Sequence, residues 1–106
     1  MHTLTAPELA AWLADRSREQ PLLLDIREPW EFERARIPGA QLVPMREVSA
    51  RLGEIDDNRE VVAICHHGGR SAQVALFLEK NGYKVHNLVG GVDAWSRQVD
   101  PAVPLY

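Results

Sequence analysis

The chain predicts an α/β fold built on a mainly parallel sheet, and three observations carry that expectation. Leu22-Leu23-Leu24 and Val61-Val62-Ala63-Ile64 are apolar runs without alternation, the pattern of strands covered on both faces. Stretches with helical spacing of apolar residues lie beside them, around Leu9, Trp12 and Leu13 and again from Ser71 to Lys80. Strand and helix patterns then alternate, the order that builds crossover units.

The elements follow in chain order. Thr5-Ala6-Pro7-Glu8 is a capping box with proline in the first turn, so a helix runs from there to about Asp15. Pro21 interrupts, and Leu22 to Leu24 forms a short strand. Pro29 opens a short helix through Trp30, Phe32 and Glu33. Ile37-Pro38-Gly39-Ala40 is a turn before a short strand at Gln41-Leu42-Val43. Arg46 to Leu52 reads as helix, and Asp56-Asp57-Asn58 as loop.

Val61 to Ile64 holds three β-branched residues in four and suits a central strand. Ser71 to Lys80 is apolar nearly all round and is expected to be a well-buried helix. Asn81-Gly82 ends it, with glycine suited to the left-handed position. Val85 to Leu88 is the last strand, and Gly90-Gly91 turns into a short helix through Trp95. The tail from Asp100 to Tyr106 carries two prolines and reads as extended, covering the domain's own surface or a neighbour's.

Composition narrows the function classes. The 106 residues are 45% hydrophobic and 25% charged, as expected of one globular domain spanning residues 1–106. The net charge of −3 carries no nucleic-acid footprint. No apolar segment reaches the ~20 residues needed to span a membrane. Met1 to Thr5 lacks the regions of a signal peptide, so a cytoplasmic location is expected. The single cysteine excludes an intrachain disulfide and fits a reducing compartment.

That cysteine is also the main candidate for chemistry. Cys65 ends the Val61–Ile64 run and is followed by His66-His67-Gly68-Gly69-Arg70-Ser71 and a helix. A lone cysteine is often an inert small hydrophobe. Here unpaired helix-start amides, a glycine-rich loop that can form an anion nest, and the charge of Arg70 all favour thiolate over thiol. Gly68 and Gly69 let the chain curl without a side-chain clash. Adjacent histidines are expected to diverge, so no metal centre is read from His66 and His67. Their side chains are expected at the pocket rim. His86 and His2 read as structural or exposed.

The run Cys65 to Ser71 resembles the active-site loop of the rhodanese family of sulfurtransferases. Leu24-Asp25-Ile26-Arg27-Glu28 and Gly90-Gly91-Val92-Asp93-Ala94-Trp95 resemble two further motifs of that family, in the same order. The resemblance covers about Leu4 to Trp95. It implies a five-stranded sheet flanked by helices on both faces, with its first strand near Thr3-Leu4. It implies Cys65 as nucleophile and residues His66, His67, Gly68, Gly69 and Arg70 as the substrate-binding loop. The implied reaction moves a sulfane sulfur from a small donor such as thiosulfate to a thiophilic acceptor such as cyanide, through a cysteine persulfide and without a cofactor. A persulfide carrier in a sulfur relay, with a protein partner and little small-molecule turnover, is the alternative.

Four residues separate Cys65 from Arg70, whereas the loop of tyrosine phosphatases has five. The shorter loop argues against cradling a phosphoryl group. Arg36 stands where family members often have histidine, which removes a local hydrogen bond and leaves the sulfur loop intact. Arg70 has two roles open to it, binding the anionic donor and locking the loop onto an acid, and its five donors allow both. Asp25, Arg27 and Glu28 follow a strand end and either touch the site or, the favoured reading, form an ion-pair and capping network; Gly90, Gly91 and Trp95 read as fold residues. Trp30 and Phe32 are placed either at the site entrance or in the core.

Overall fold

Five strands pair in parallel in the order β1-β5-β4-β2-β3, with β1 at His2–Leu4, β2 at Leu22–Asp25, β3 at Gln41–Leu42, β4 at Val61–Ile64 and β5 at Val85–Leu88. All residues from Met1 to Tyr106 are described by the computed structural model. Four α-helices alternate with the strands: α1 at Ala6–Ala14, α2 at Pro29–Arg34, α3 at Gly69–Lys80 and α4 at Gly91–Gln98. The capping box closes as read: the Glu8 N–H donates to Thr5 Oγ1 at 3.2 Å, and the Thr5 N–H to Glu8 Oε1 at 2.8 Å. No helix is long and apolar enough to cross a membrane.

The strand pattern explains the two-sided core. Every residue of β2, β4 and β5 is buried. Successive side chains point to opposite faces. Leu22, Leu24, Val61 and Ala63 therefore meet Val74, Ala75 and Leu78 of α3 on one face. Leu23, Val62 and Ile64 meet Leu9 and Trp12 of α1 and Val92 and Trp95 of α4 on the other. Each such buried aliphatic side chain is worth about 1.5–3 kcal/mol relative to exposure.

Two expectations need correction. The segment read as a helix from Arg46 to Leu52 is two short 3₁₀ turns, Met45–Glu47 and Ser49–Glu54, and Arg51 leaves helical geometry at φ −115° and ψ 20°. Val48 and Ile55 are the buried anchors of this stretch, Met45 and Leu52 are only partly covered, and Arg51 is drawn to Glu47 and Glu54 on the surface. That is too little burial to hold a regular helix. Helix α3, in turn, is not buried all round. It begins at Gly69, and one stripe of Ser71, Val74, Ala75 and Leu78 faces the sheet, while Leu76 is 48% exposed and Phe77 36% exposed. A helix lying on a sheet covers one face only, whatever its composition.

Register places the site. Asp25 of β2 pairs with Ile64 of β4, and the Ile26 N–H donates to the Ile64 carbonyl at 3.0 Å. The carboxyl ends of the two strands thus lie side by side. In a parallel sheet that edge holds the functional crevice.

Candidate functional site at the ends of β4 and β2

Cys65 follows β4 directly and is 1% exposed. Its Sγ accepts the Gly68 N–H at 3.0 Å and lies 3.2 Å from the Ser71 hydroxyl. Gly68 makes this possible with φ of +106°, a conformation that side chains disfavour. A Cβ there would also press on the backbone of Leu88 and Gly90 at 3.2–3.3 Å. Gly69 is different: it is the first residue of α3, and a Cβ there meets nothing. The curl expected of both glycines belongs to Gly68 alone.

Helix α3 opens directly over the sulfur. The Ala72 N–H donates to the Gly68 carbonyl at 3.2 Å, which leaves the amides of Gly69, Arg70 and Ser71 without helical partners. Asn87 on β5 holds the loop from behind. Its Nδ2 donates to the Gly68 carbonyl at 3.1 Å, and its Oδ1 lies 2.5 Å from the Ser71 hydroxyl. A hydroxyl has one proton, and Ser71 has three acceptors in reach for it: Asn87 Oδ1, the sulfur, and the Gly68 carbonyl at 3.3 Å. Neither Ser71 nor Asn87 was singled out as a sulfur contact in the sequence. Ser71 is the first apolar-face position of α3 and would read as a cap or core filler.

The far side of the loop rests on α4. The Val92 N–H donates to the Cys65 carbonyl at 2.9 Å and the Asp93 N–H to the His66 carbonyl at 3.1 Å. A Cβ on Gly91 would lie 2.2 Å from the Cys65 carbonyl oxygen, so this glycine is required by close approach. Trp95 is the expected apolar anchor, 6% exposed.

The end of β2 carries an ion-pair chain. Arg27 is fully buried and grips Asp25 with Nε at 2.9 Å and Nη2 at 2.7 Å. It also donates to the Ala35 carbonyl at 2.6 Å and to the Tyr106 hydroxyl at 2.6 Å. The Tyr106 hydroxyl donates onward to Glu31 at 2.9 Å. Glu31, 4% exposed, takes both terminal nitrogens of Arg70 at 2.7 and 2.8 Å. Asp25, Arg27, Tyr106, Glu31 and Arg70 therefore form one path into the cysteine loop. The expected ion-pair and capping network is present, with Glu28 at the N-cap of α2 and paired to Arg46. Tyr106 and Glu31 extend it to the site.

The electrostatics follow from those contacts. The hydrogen bonds from Arg70 are the main cause that brings the Glu31 carboxyl down from 4.5 to about 2, against the cost of its burial. Glu31 in turn raises Arg70 above its ordinary value. Burial pushes the Tyr106 phenol up to about 12, so it is a neutral donor to Glu31. Desolvation lowers His66, helped by its neighbour His67. Arg70 thus locks the loop onto an acid, the second of the two roles weighed for it.

The rim of the site is aromatic. The tail returns over the domain's own surface, and the Tyr106 ring stacks on His66 at 4.0 Å while Trp30 meets Tyr106 edge-on at 5.9 Å. Trp30 is 60% exposed at this rim, and Phe32 is partly buried behind it. One expectation fails here. The rings of His66 and His67 do not diverge but lie 3.9 Å apart, and with Asp93 their ligand atoms fall within 4.8 Å of one another. His66 is held between two rings, with Tyr106 stacked on it at 4.0 Å and His67 at 3.9 Å.

Comparison with known proteins agrees with the geometry. Residues 6–98 match the Rhodanese-like domain family. A sulfurtransferase of Allochromatium vinosum is 39% identical over 104 residues, covering 97% of this chain and 95% of that protein. An adenylyltransferase and sulfurtransferase of Drosophila ananassae, MOCS3, is 30% identical over 102 residues, 87% of this chain. This chain spans 23% of MOCS3 and 31% of a rhodanese-like/PpiC domain-containing chloroplast protein of Arabidopsis thaliana. A crystal structure of a rhodanese-like domain protein from Staphylococcus aureus superposes with a TM-score of 0.85 at 30% identity, covering 100% of this chain and 99% of that one. The chain belongs to the rhodanese-like family, whose matched relatives include sulfurtransferases.

Proposed function

We propose that the protein transfers a sulfane sulfur through a persulfide on Cys65. The observation that supports this most is the setting of the sulfur: Gly68 N–H at 3.0 Å, Ser71 hydroxyl at 3.2 Å, and the open end of α3 above it. Donors that converge on one atom stabilise negative charge where it develops.

The Cys65 thiolate attacks the outer sulfur of thiosulfate. An S–S bond forms to Cys65 as the donor's S–S bond breaks, and its electron pair leaves with sulfite. Cys65 then carries a terminal persulfide anion. The amides of Gly69, Arg70 and Ser71, free of helical partners, cradle that outer sulfur. Cyanide attacks it, thiocyanate leaves, and the electron pair of the broken bond restores the thiolate. This is double displacement and needs no cofactor. Arg70, held by Glu31, keeps the cradle in shape, and its exposed edge meets the anionic donor. His66 and His67 rim the approach.

A sulfur carrier is the second reading, favoured by the likeness to a protein of Bacillus subtilis named as a sulfur carrier, 40% identical over 85 residues. Steady-state thiocyanate formation from thiosulfate and cyanide tests the choice, beside sulfur transfer from a cysteine desulfurase. Turnover with thiosulfate supports the enzyme. Loading only from the desulfurase favours the carrier, and neither reaction removes both readings.

A further inference from the structure

His66, His67 and Asp93 are not needed as side chains in the sulfur chemistry, yet the fold brings them together. The Asp93 N–H is bonded to the His66 carbonyl at 3.1 Å, so the first turn of α4 is pinned to the cysteine loop. The two imidazoles face each other at 3.9 Å with a tilt of 33°. The other face of His66 lies against Tyr106 at 14°, which fixes its ring. All three residues offer ligand atoms within 4.8 Å of one another.

A second observation points to a ligand. Nε2 of His66 is buried without any hydrogen-bond partner. Such an atom is costly to leave unpaired; of the three in the chain, His86 Nδ1 and Trp95 Nε1 belong to no ligand cluster, and His66 alone belongs to one. Asp93 also has capacity to spare: Arg97 takes Oδ2 at 3.0 Å and its other oxygen has no protein partner. That i,i+4 pair reaches out to the exposed Arg97 and is weak enough to be given up.

We propose that His66, His67 and Asp93 form a site for a divalent transition ion of the Zn²⁺ type at the lip of the Cys65 loop. Two imidazoles and a carboxylate are a borderline donor set, whereas Mg²⁺ and Ca²⁺ prefer oxygen throughout. Bonds of about 2.0–2.1 Å in a tetrahedral ion set donors about 3.3 Å apart, which the cluster reaches when the exposed His67 swings out of its stack on His66 to aim a ring nitrogen at the ion and the partly buried Asp93 turns toward it. Three protein ligands leave a fourth position open. The site involves no sulfur step, so it stands or falls independently of the reading of Cys65.

The test is titration of Zn²⁺ into tag-free protein against a chromogenic chelator, with Cys65→Ser, His67→Ala and Asp93→Asn beside it. Circular dichroism checks that each variant is folded. One ion per chain at micromolar Kd is expected in the native protein and in Cys65→Ser, weakened about tenfold or more in the other two. Absence of binding at about 100 micromolar overturns the site. Binding unchanged in both His67→Ala and Asp93→Asn overturns it too, as does binding lost in Cys65→Ser alone, because the thiol would then be the ligand.

Discussion

The adjacent ends of β4 and β2 build their halves of the site in opposite ways. At the end of β4, one run of chain from Cys65 to Ser71 holds both the sulfur and the groups that donate to it, within six residues. At the end of β2, the partners come from far apart. Glu31 meets Arg70 across 39 positions, and Tyr106 meets Arg27 across 79. The first half is a local motif that uses backbone amides. The second is a relay of charged and hydroxyl groups with Asp25, Arg27 and Glu31 buried and Arg70 partly exposed at its end. Loss of a member should therefore cost chemistry in the first half and stability in the second.

Cys65→Ser is expected to have the largest effect on transfer and little on the fold, since it exchanges one small atom. Thiocyanate formation should fall to background, with an unchanged urea unfolding midpoint. Residual turnover near the native level would move the chemistry to another group. Arg27→Met tests the opposite half. It strands the fully buried Asp25 carboxylate, and breaking a buried pair in this way costs about 3–5 kcal/mol. A loss under about 1 kcal/mol in chemical unfolding would mean that the pair carries little of the fold.

Glu31→Gln sharpens the contrast through pH. The native Glu31 carboxyl is lowered from 4.5 to about 2, so its contribution is complete above pH 4.5 and is lost as pH falls toward 2. Arg70 is 40% exposed, and solvent screening reduces the effect to about 1–2 kcal/mol. The native protein should lose its advantage over Glu31→Gln across that acid window. Parallel stability curves from pH 6 to pH 2 would contradict the coupling. The smallest effect is expected from Tyr106→Phe, which keeps the stack on His66 and removes a hydroxyl between Arg27 and Glu31. A loss of about 1 kcal/mol in urea unfolding is expected, and no change would show that water replaces the hydroxyl.

The same division decides what could be read from the residues alone. Strands buried on both faces announce themselves by runs such as Val61 to Ile64, and a helix start by Thr5 and Glu8, because the signals are local. The sulfur loop is legible for the same reason. Asn87 is not: it reaches the loop from the next strand, and nothing in Val85 to Leu88 marks one residue as facing Gly68. Glu31 looks like any acid in the first turn of a helix until Arg70 arrives from α3. The approach of His66 to His67 is not legible because neighbouring side chains usually part, and the Tyr106 ring that stacks on His66 comes from 40 residues away. The 3₁₀ turns from Met45 on are not legible either, because apolar spacing does not report how few of those residues find full cover.

The central claim is that Cys65 carries the transferred sulfur. The most direct measurement is the intact mass of the reduced protein after thiosulfate, with Cys65→Ser treated alongside. The account predicts a gain of one sulfur atom in the native chain, absent from the variant and removed by cyanide. An equal gain in Cys65→Ser, or none in the native chain with either thiosulfate or a cysteine desulfurase as donor, would contradict it.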